Sequence, residues 1–394
     1  MLNTPFSPWP SFSPEEAEAV AAVLRSNRVN YWTGDRCREF ERRFADWTGT
    51  RHAVALANGT VALDLALKAL GIGPGDEVIT TPRTFVASAS CIVTAGATPV
   101  FADVDPDSQN ITAETIAAVL TPRTRAIICV HLGGLPCDMD PIMALAEKHG
   151  LKVIEDCAQA HGARYRGRSV GSIGHVGAWS FCQDKIMTTG GEGGMVTTDD
   201  PDLWSFMWSY KDHGKSWEAV HERVHPPGPR LVHDSFGTNW RMIEMQAAIG
   251  LIQLDRMEHW TARRAGIAAR YAEALAPHDV VRTLPTAQHM THAWYRFYAF
   301  IRPERLADGW TRDRIIEAVN HMGVPCFHGS APEVYQERAF DGTGWRPEPR
   351  LAGARMLGET SLALLTHPTL MDAEVDKTCA VLDQVLGQAG RRQA

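Results

Sequence analysis

The chain of 394 residues carries 39 basic and 46 acidic side chains, a net charge of −7, with 44% hydrophobic and 22% charged residues. This length suits two domains, or one large domain with a smaller one attached, and the composition is that of an ordinary globular protein. The negative balance argues against a general nucleic-acid binder, and no run reaches the roughly 18 apolar residues of a membrane-spanning helix. The opening MLNTPFSPWPSF lacks a basic segment followed by an apolar one, so no secretory signal is expected. Eight cysteines are scattered without a CxxC pair, which reads as reduced, structural thiols and a cytoplasmic location. The 16 histidines are dispersed, and no metal site is expected.

In chain order, SPEEAEAVAAVLR (13–25) opens with a serine N-cap, Pro14 at the first helical position and two glutamates, the signature of a helix start. CREFERRFADWTG is a second helix, closed by Gly49. From His52 the pattern alternates. HAVALAN, DEVITT, TPVFADV, RAIICVHL, KVIEDCA and GAWSFCQD read as strands. GTVALDLALKALG, FVASASCIVTAGA, residues 112–120 and PIMALAEKHG read as the helices between them. Such alternation predicts an α/β fold, a mainly parallel sheet covered on both faces with right-handed crossovers. After residue 240 come a helical tract of one or two helices over RMIEMQAAIGLIQLDRMEHWTARRAGIAARYAEALA, an alternating strand HAWYRFYAFI, and a helix TRDRIIEAVNHMG. The expected domains are therefore 1–255, large, and 256–394, a smaller C-terminal α+β unit. Between them WEAVHERVHPPGPRLVHDSFGTN reads as a long loop, a kind that is often functional or mobile. The tail GQAGRRQA is expected to fray.

In an open α/β sheet, ligands bind beyond the carboxyl ends of the strands, and three groups fall there. Asn58-Gly59-Thr60 opens a helix, where backbone amides and the Thr60 hydroxyl suit a phosphate, although a plain N-cap uses the same residues. Asp156, in EDCAQAHGA, ends a buried strand, where a carboxylate needs a cation unless it only caps a helix. A protonated pyridine nitrogen is one such cation, and Gln159 lies three residues on, within reach of the next ring substituent. Lys185 follows in SFCQDKIMTTGGEGGMVTT. A phosphate-loop lysine comes after its glycines; here they come after the lysine, so that reading fails on order. An amine that condenses with a carbonyl cofactor remains, beside the plainer reading of a surface lysine.

A phosphate cradle, an acid and a lysine in that order form the layout of a pyridoxal phosphate (PLP) enzyme. The blocks FERRFADWTGTRHAVALANGTVALDLAL, DEVITTPRTFVASASCIVTAGATPVFADVD, VIEDCAQAHGA, WSFCQDKIMTTGGEGGMVTT and FGTNWRMIEMQAAIGLIQL resemble the successive blocks of the DegT/DnrJ/StrS sugar aminotransferases, over nearly the whole chain. The resemblance implies the fold-type-I PLP-dependent transferase architecture, with a seven-stranded sheet in the large domain. It implies that Lys185 binds the cofactor covalently and then shuttles the proton, that Asp156 pairs with the pyridinium nitrogen so the ring acts as an electron sink, and that Gln159 bonds near the ring hydroxyl. Gly59, Thr60 and Ser180 would hold the cofactor phosphate, Phe85 would stack on the ring, and Asn239 would reach the phosphate from a neighbouring subunit, which makes a homodimer with shared sites. Trp32, Thr33, His161, His213, Arg241 and His328 fall at positions that face the substrate in relatives. Two features stand out against the family. Cys182-Gln183-Asp184 precedes the lysine where many relatives carry other residues, and Lys185 stands where sugar-dehydrating relatives place a histidine. The implied reaction moves the amino group of L-glutamate to a keto carbon of a nucleotide-linked sugar, with C4 of a 4-keto-6-deoxyhexose first, a 3-keto sugar next and an aminocyclitol precursor third. A PLP-dependent dehydratase and a non-catalytic regulator on the same fold are the alternatives outside that class.

Overall fold

The structure, a computed structural model, describes residues 5–391; the first four residues of the opening segment and the last three of the tail lie outside the described residues. Seven strands, β1 (His52–Leu56), β2 (Glu77–Thr80), β3 (Thr98–Phe101), β4 (Thr124–Val130), β5 (Lys152–Asp156), β6 (Val176–Ser180) and β7 (Gly194–Thr198), form one sheet in the order β1-β7-β6-β5-β4-β2-β3. Neighbouring pairs among β2 to β6 run parallel. Strand β7 is antiparallel to both β1 and β6, so β1 points the same way as β6, and the carboxyl ends of β1 to β6 share one edge of the sheet. Six of these strands match the alternating segments of the sequence. The seventh, β7, returns from β6 by a hairpin with no helix between them, so the alternation left no place for it.

Four helices position the site. Helix α1 (Pro14–Ser26) is held by a capping box between Ser13 and Glu16, and α2 (Arg36–Thr48) ends at left-handed Gly49. Helix α3 (Gly59–Ala69) follows β1, and α4 (Ala87–Thr94) follows β2. The helix expected over 112–120 is shorter, Ala113–Ala117.

The helical tract after residue 240 is a single helix, Glu244–Leu275, of 32 residues. It packs against α1 and α2 at one end and against the C-terminal helix Asp372–Ala389 at the other, so the expected domain boundary at 255/256 lies inside one continuous rod. Beyond it, Val281–Thr283, Phe297–Ile301, Ser361–Leu364 and Cys326–Phe327 make an antiparallel sheet in that order. The strand expected to alternate, HAWYRFYAFI, is instead buried at every position from Phe297 to Ile301. Phe297, Ala299 and Ile301 pack within the small domain, and Tyr298 and Phe300 pack against large-domain residues such as Ile79 and Leu135. Both faces of this strand are interior, which erases the polar half of the pattern. The long loop contains a short helix, Trp217–His221. The tail does not fray as far as it is described, because Gly390 bridges to Leu306 and the Arg391 amide donates to the Arg305 carbonyl at 3.0 Å.

Candidate active site

The carboxyl edge of the sheet opens onto a cavity of about 560 Å³ whose lining includes Gly59, Thr60, Phe85, Asp156, Gln159, Ser180 and Lys185. At its floor α3 begins directly after β1. Asn58 caps the helix by accepting the Val61 amide at 3.0 Å, and the amides of the preceding first turn have no partner within the helix. A Cβ on Gly59 would lie 2.5 Å from Ser180 Cβ. Only glycine lets the helix start sit against the end of β6, so amides and a hydroxyl converge on one point, the arrangement that holds a phosphate.

Asp156 ends β5 and is buried. Its Oδ2 accepts from Ser88 Oγ at 2.8 Å and its Oδ1 from the Ala158 amide at 3.1 Å. Ser88 and Thr84 hydroxyls lie 2.8 Å apart, so Ser88 of α4 and Thr84 of the segment before it supply a hydroxyl relay that sets the angle of the carboxylate. Burial pushes the Asp156 carboxyl above its ordinary value, and the Ser88 bond, the Ala158 bond and the Lys185 charge only partly offset it. A carboxylate in that condition is built for a cation brought by a ligand. Gln159 Oε1 accepts the Gly133 amide at 2.8 Å, which leaves its NH₂ group as the donor for the cavity.

Behind this wall Glu155 accepts amides of Gly171, Ile173 and Gly174 at 2.9, 2.8 and 2.7 Å and faces His131 Nε2 at 3.0 Å. Burial opposes its ionisation, yet His131 and these amides hold Glu155 below the usual carboxylate range. His131 Nδ1 accepts the Cys137 amide at 3.0 Å. His131, Glu155 and Cys157 lie close enough together to resemble a metal cluster, but the Glu155 oxygens and both ring nitrogens of His131 are already engaged. The chain also contains one HExxH spacing, His221 to His225, which the expectation of no metal site passes over. There the helix stops at His221, His221 stacks on Trp217 with centroids 4.1 Å apart, and His225 Nε2 lies 2.6 Å from the Ala219 carbonyl. The two histidines therefore do not share the helix face that a zinc site of this spacing requires.

Lys185 stands on the turn between β6 and β7. The Lys185 amide donates to the Cys182 carbonyl at 3.0 Å, and the Phe181 amide to the Gly193 carbonyl at 2.8 Å. Gly190 and Gly191, at φ +86° and +117°, turn the chain back into β7. The glycines after the lysine are thus the return of a hairpin. The Lys185 side chain is 14% exposed, with Nζ 3.7 Å from Asp184 Oδ1 and 5.3 Å from the Tyr295 ring centroid. The Tyr295 hydroxyl donates to Asp184 Oδ2 at 2.5 Å. Burial works against the Asp184 charge, but Lys185, Tyr295 and Arg296 hold it below the usual carboxylate range. From the N-terminal segment, Trp9 Nε1 donates to the Lys185 carbonyl at 2.8 Å, its ring edge-on to Trp260. A second cavity of about 310 Å³ shares Thr84, Phe85, Gln159, Asp184 and Lys185 with the first and is closed on the small-domain side by Tyr295, Arg296 and Phe327.

The substrate-facing candidates fare differently. His161 is buried between the rings of Trp179 and Phe181 and lines neither cavity. Burial first, then the Lys185 and Arg264 charges, push it down to about 3. It is a neutral core ring, which corrects its assignment to the substrate. Trp32 Nε1 donates to Asp212 Oδ2 at 2.6 Å, Arg241 pairs with Asp212, and Asn239 bridges to the same residue. With the neighbouring, exposed Thr33 and His213, they form a group that lines neither cavity in its own chain. His328 is exposed beside Asp313, 3.2 Å away, and it is the adjacent Phe327 that enters the second cavity. Sequence reasoning missed Ser88, Trp9, Tyr295 and Arg296. Of these only Ser88 had a local signal, since it sits four residues after Thr84 at the start of the helix that follows β2.

A seven-stranded, mainly parallel sheet with a lysine hairpin and a buried acid at one edge is the architecture of the fold-type-I aminotransferases. The sequence profile of the DegT/DnrJ/EryC1/StrS aminotransferase family matches residues 10–383, and the chain belongs to that family. It is 42% identical over 355 residues to the GDP-perosamine synthase of Caulobacter vibrioides, covering 88% of this chain and 89% of that protein. It is similar to the solved aminotransferase from Psychrobacter cryohalolentis at 59% identity, TM-score 0.96, covering 98% of this chain and all of that one. The Spr1654 protein of Streptococcus pneumoniae, solved in PLP and PMP forms, is 26% and 27% identical with TM-scores of 0.86 and 0.87, over 98% of this chain and 99% or more of those.

Proposed function

We propose that this aminotransferase uses PLP to move the amino group of L-glutamate onto a keto carbon, C4 first, of a nucleotide-linked 4-keto-6-deoxyhexose. The observation that carries the reading is the single cavity onto which the Gly59 helix start, the buried and cation-free Asp156, and Lys185 all face. The residues fit the cofactor: the α3 amides, Thr60 and Ser180 would take the phosphate, Asp156 the pyridinium nitrogen, Gln159 the ring hydroxyl, and Phe85 the ring face. Bound there, the group supplies an aldehyde to carry the amine and a ring to hold the electron pair released at carbon.

The chain supplies the rest. Lys185 Nζ takes the proton from the donor's α-carbon and returns it on the other side of the exchange, reversing both moves when the keto sugar enters. Asp156, fixed by Ser88 and Ala158, keeps the ring nitrogen protonated. Asp184, held by Tyr295, gives the free Lys185 amine a place to rest between transfers. A lysine at position 185, where dehydratases of the family resemblance carry histidine, favours amine transfer over dehydration.

The functional unit is a homodimer. Phe85 is 65% exposed at the cavity mouth and Phe236 98% exposed on the 217–239 segment, surfaces that a second copy would cover. The Trp32, Asp212, Asn239 and Arg241 group would then face the cavity of the other protomer. The eight free cysteines suit a reducing compartment such as the cytoplasm, and among the described residues no helix is long and apolar enough to cross a membrane. The test is optical. The PLP-loaded protein should lose its visible cofactor band on addition of L-glutamate with release of 2-oxoglutarate. One keto sugar, presented in turn on GDP, dTDP or UDP, should restore it. No spectral change with glutamate overturns the donor assignment; restoration only by 3-keto sugars or cyclitols overturns the acceptor.

A further inference from the structure

The two cavities share Lys185, but they differ in charge. In the first, Asp156 lacks a cation. Asp184, which lines both, receives the Tyr295 hydroxyl and lies beside Lys185 Nζ, with Arg296 adding to the positive field that lowers it. That leaves Arg296. Its backbone amide points to the Gly133 carbonyl, and its guanidinium rests on the Tyr295 ring, Cζ 5.0 Å from the centroid. Among the described residues no carboxylate pairs with it and no side-chain hydrogen bond engages it. Lys185 Nζ lies 5.3 Å from the same centroid, so both cations flank one aromatic ring at the wall of one cavity. An arginine that rests on an aromatic face with no side-chain hydrogen bond among the described residues is set up for a forked bond to an oxyanion.

We propose that Arg296 forms the oxyanion subsite of the substrate cavity, binding a carboxylate or phosphate of the bound substrate within reach of Lys185. This rests on the aminotransferase reading for the identity of the ligand, though the subsite itself follows from a guanidinium that lines the cavity and rests on the Tyr295 ring. Two groups in the proposed reaction carry that chemistry, the carboxylate of the amino donor and the diphosphate of the nucleotide. The Gly329-Ser330 turn also lines this cavity. It packs so closely on Tyr298 that a Cβ on Gly329 would fall 2.4 Å from its ring, and the Ser330 amide donates to the Tyr298 hydroxyl at 2.9 Å. The cavity therefore has one fixed polar wall and one cationic wall.

The experiment measures binding of 2-oxoglutarate and, separately, of GDP, dTDP and UDP to the cofactor-loaded protein by calorimetry, in the wild type, Arg296→Gln and Arg296→Lys. Cofactor affinity and Tm serve as controls. The Gln variant should weaken one class of probe about 10- to 100-fold, the range of one charge-assisted bond, with cofactor affinity unchanged. The Lys variant, which keeps the charge but not the fork, should fall in between and reads the point if the Gln variant melts early. Loss for 2-oxoglutarate assigns the donor carboxylate; loss for the nucleotides assigns the diphosphate. Retention of all affinities within about twofold in both variants, or no binding of any probe by the wild type, overturns the subsite. If the wild type binds an anion through Arg296 but glutamate leaves the cofactor unchanged, the subsite stands and the L-glutamate donor assignment fails.

Discussion

Replacing Asp156 by asparagine should separate the stability of the empty protein from its affinity for cofactor. Asp156 is enclosed at the end of β5 with two neutral donors, Ser88 Oγ at 2.8 Å and the Ala158 amide at 3.1 Å, and its carboxyl is raised, chiefly by burial. A carboxyl whose folded value lies above its unfolded value, about 3.9, stabilises the fold below that unfolded value. The contribution is lost as pH rises through the folded value, at about 1.4 kcal/mol per unit of elevation. At neutral pH the cofactor-free protein therefore carries a destabilising charge. Asparagine keeps the size, accepts the Ala158 amide through Oδ1 and donates to Ser88 Oγ, whose own proton can turn to Thr84. Cofactor-free Asp156→Asn should thus melt no lower than wild type at neutral pH, with any advantage shrinking as pH approaches the unfolded carboxyl value. In the holoenzyme the variant loses one buried charge-assisted bond to the ring nitrogen, about 1.5–3 kcal/mol, so PLP should bind about 10- to 150-fold more weakly. Thermal melts across pH and fluorescence titration with PLP read both halves. A variant that melts several degrees lower at every pH while binding PLP as tightly as wild type would refute the reasoning.

Three further outcomes are expected. Lys185→Ala should still bind PLP without a covalent bond, through the phosphate and Asp156 contacts, while turnover falls by at least about 100-fold; substantial activity would remove Lys185 from its role. Gly59→Ala, whose Cβ would lie 2.5 Å from Ser180 Cβ, should raise the PLP Kd about tenfold or more, and the pair Gly59→Ala with Ser180→Gly should recover part of it, a coupling that a double-mutant cycle measures. Trp9→Phe removes the donor to the Lys185 carbonyl, worth about 1 kcal/mol, and keeps an aromatic ring over Trp260; kcat should drop severalfold with PLP affinity held, and an unchanged kcat would leave Trp9 a packing residue only.

The parts of the site that the sequence made legible are those carried by the ends of strands. Gly59 and Thr60 after β1, Asp156 at the end of β5 and Lys185 after β6 need only the rule that parallel strands share a carboxyl edge. Residues delivered by tertiary packing had no such signal: Trp9 meets Lys185 across 176 positions and Tyr295 meets Asp184 across 111. The misplacement of His161 has the same origin. It is close in sequence to Asp156 and Gln159, but the chain has by then turned behind the sheet, where the rings of Trp179 and Phe181 enclose it. Strand β7 and the fully buried strand Phe297–Ile301 were obscured because one is joined by a hairpin and the other has two interior faces, so neither carries the periodicity of a half-exposed strand.

The charges of the site are arranged as a partial complement, and this is the strongest physical argument that its two cavities serve one reaction. Folding leaves Asp156 without a contacting cation at one end, its carboxyl still raised despite the Lys185 charge, and Arg296 without a contacting anion at the other, with Lys185 and Asp184 between them. A protein gains nothing from leaving two opposite charges buried or half-buried apart from each other. The proposed ligands would supply both partners, a cationic ring nitrogen in the first cavity and an oxyanion in the second. The lysine between them sits on a hairpin loop, tethered by Trp9 at its backbone and free at its amine, whereas Asp156 is fixed to a strand. The group that must stay still is on the sheet, and the group that must move a proton is on the turn.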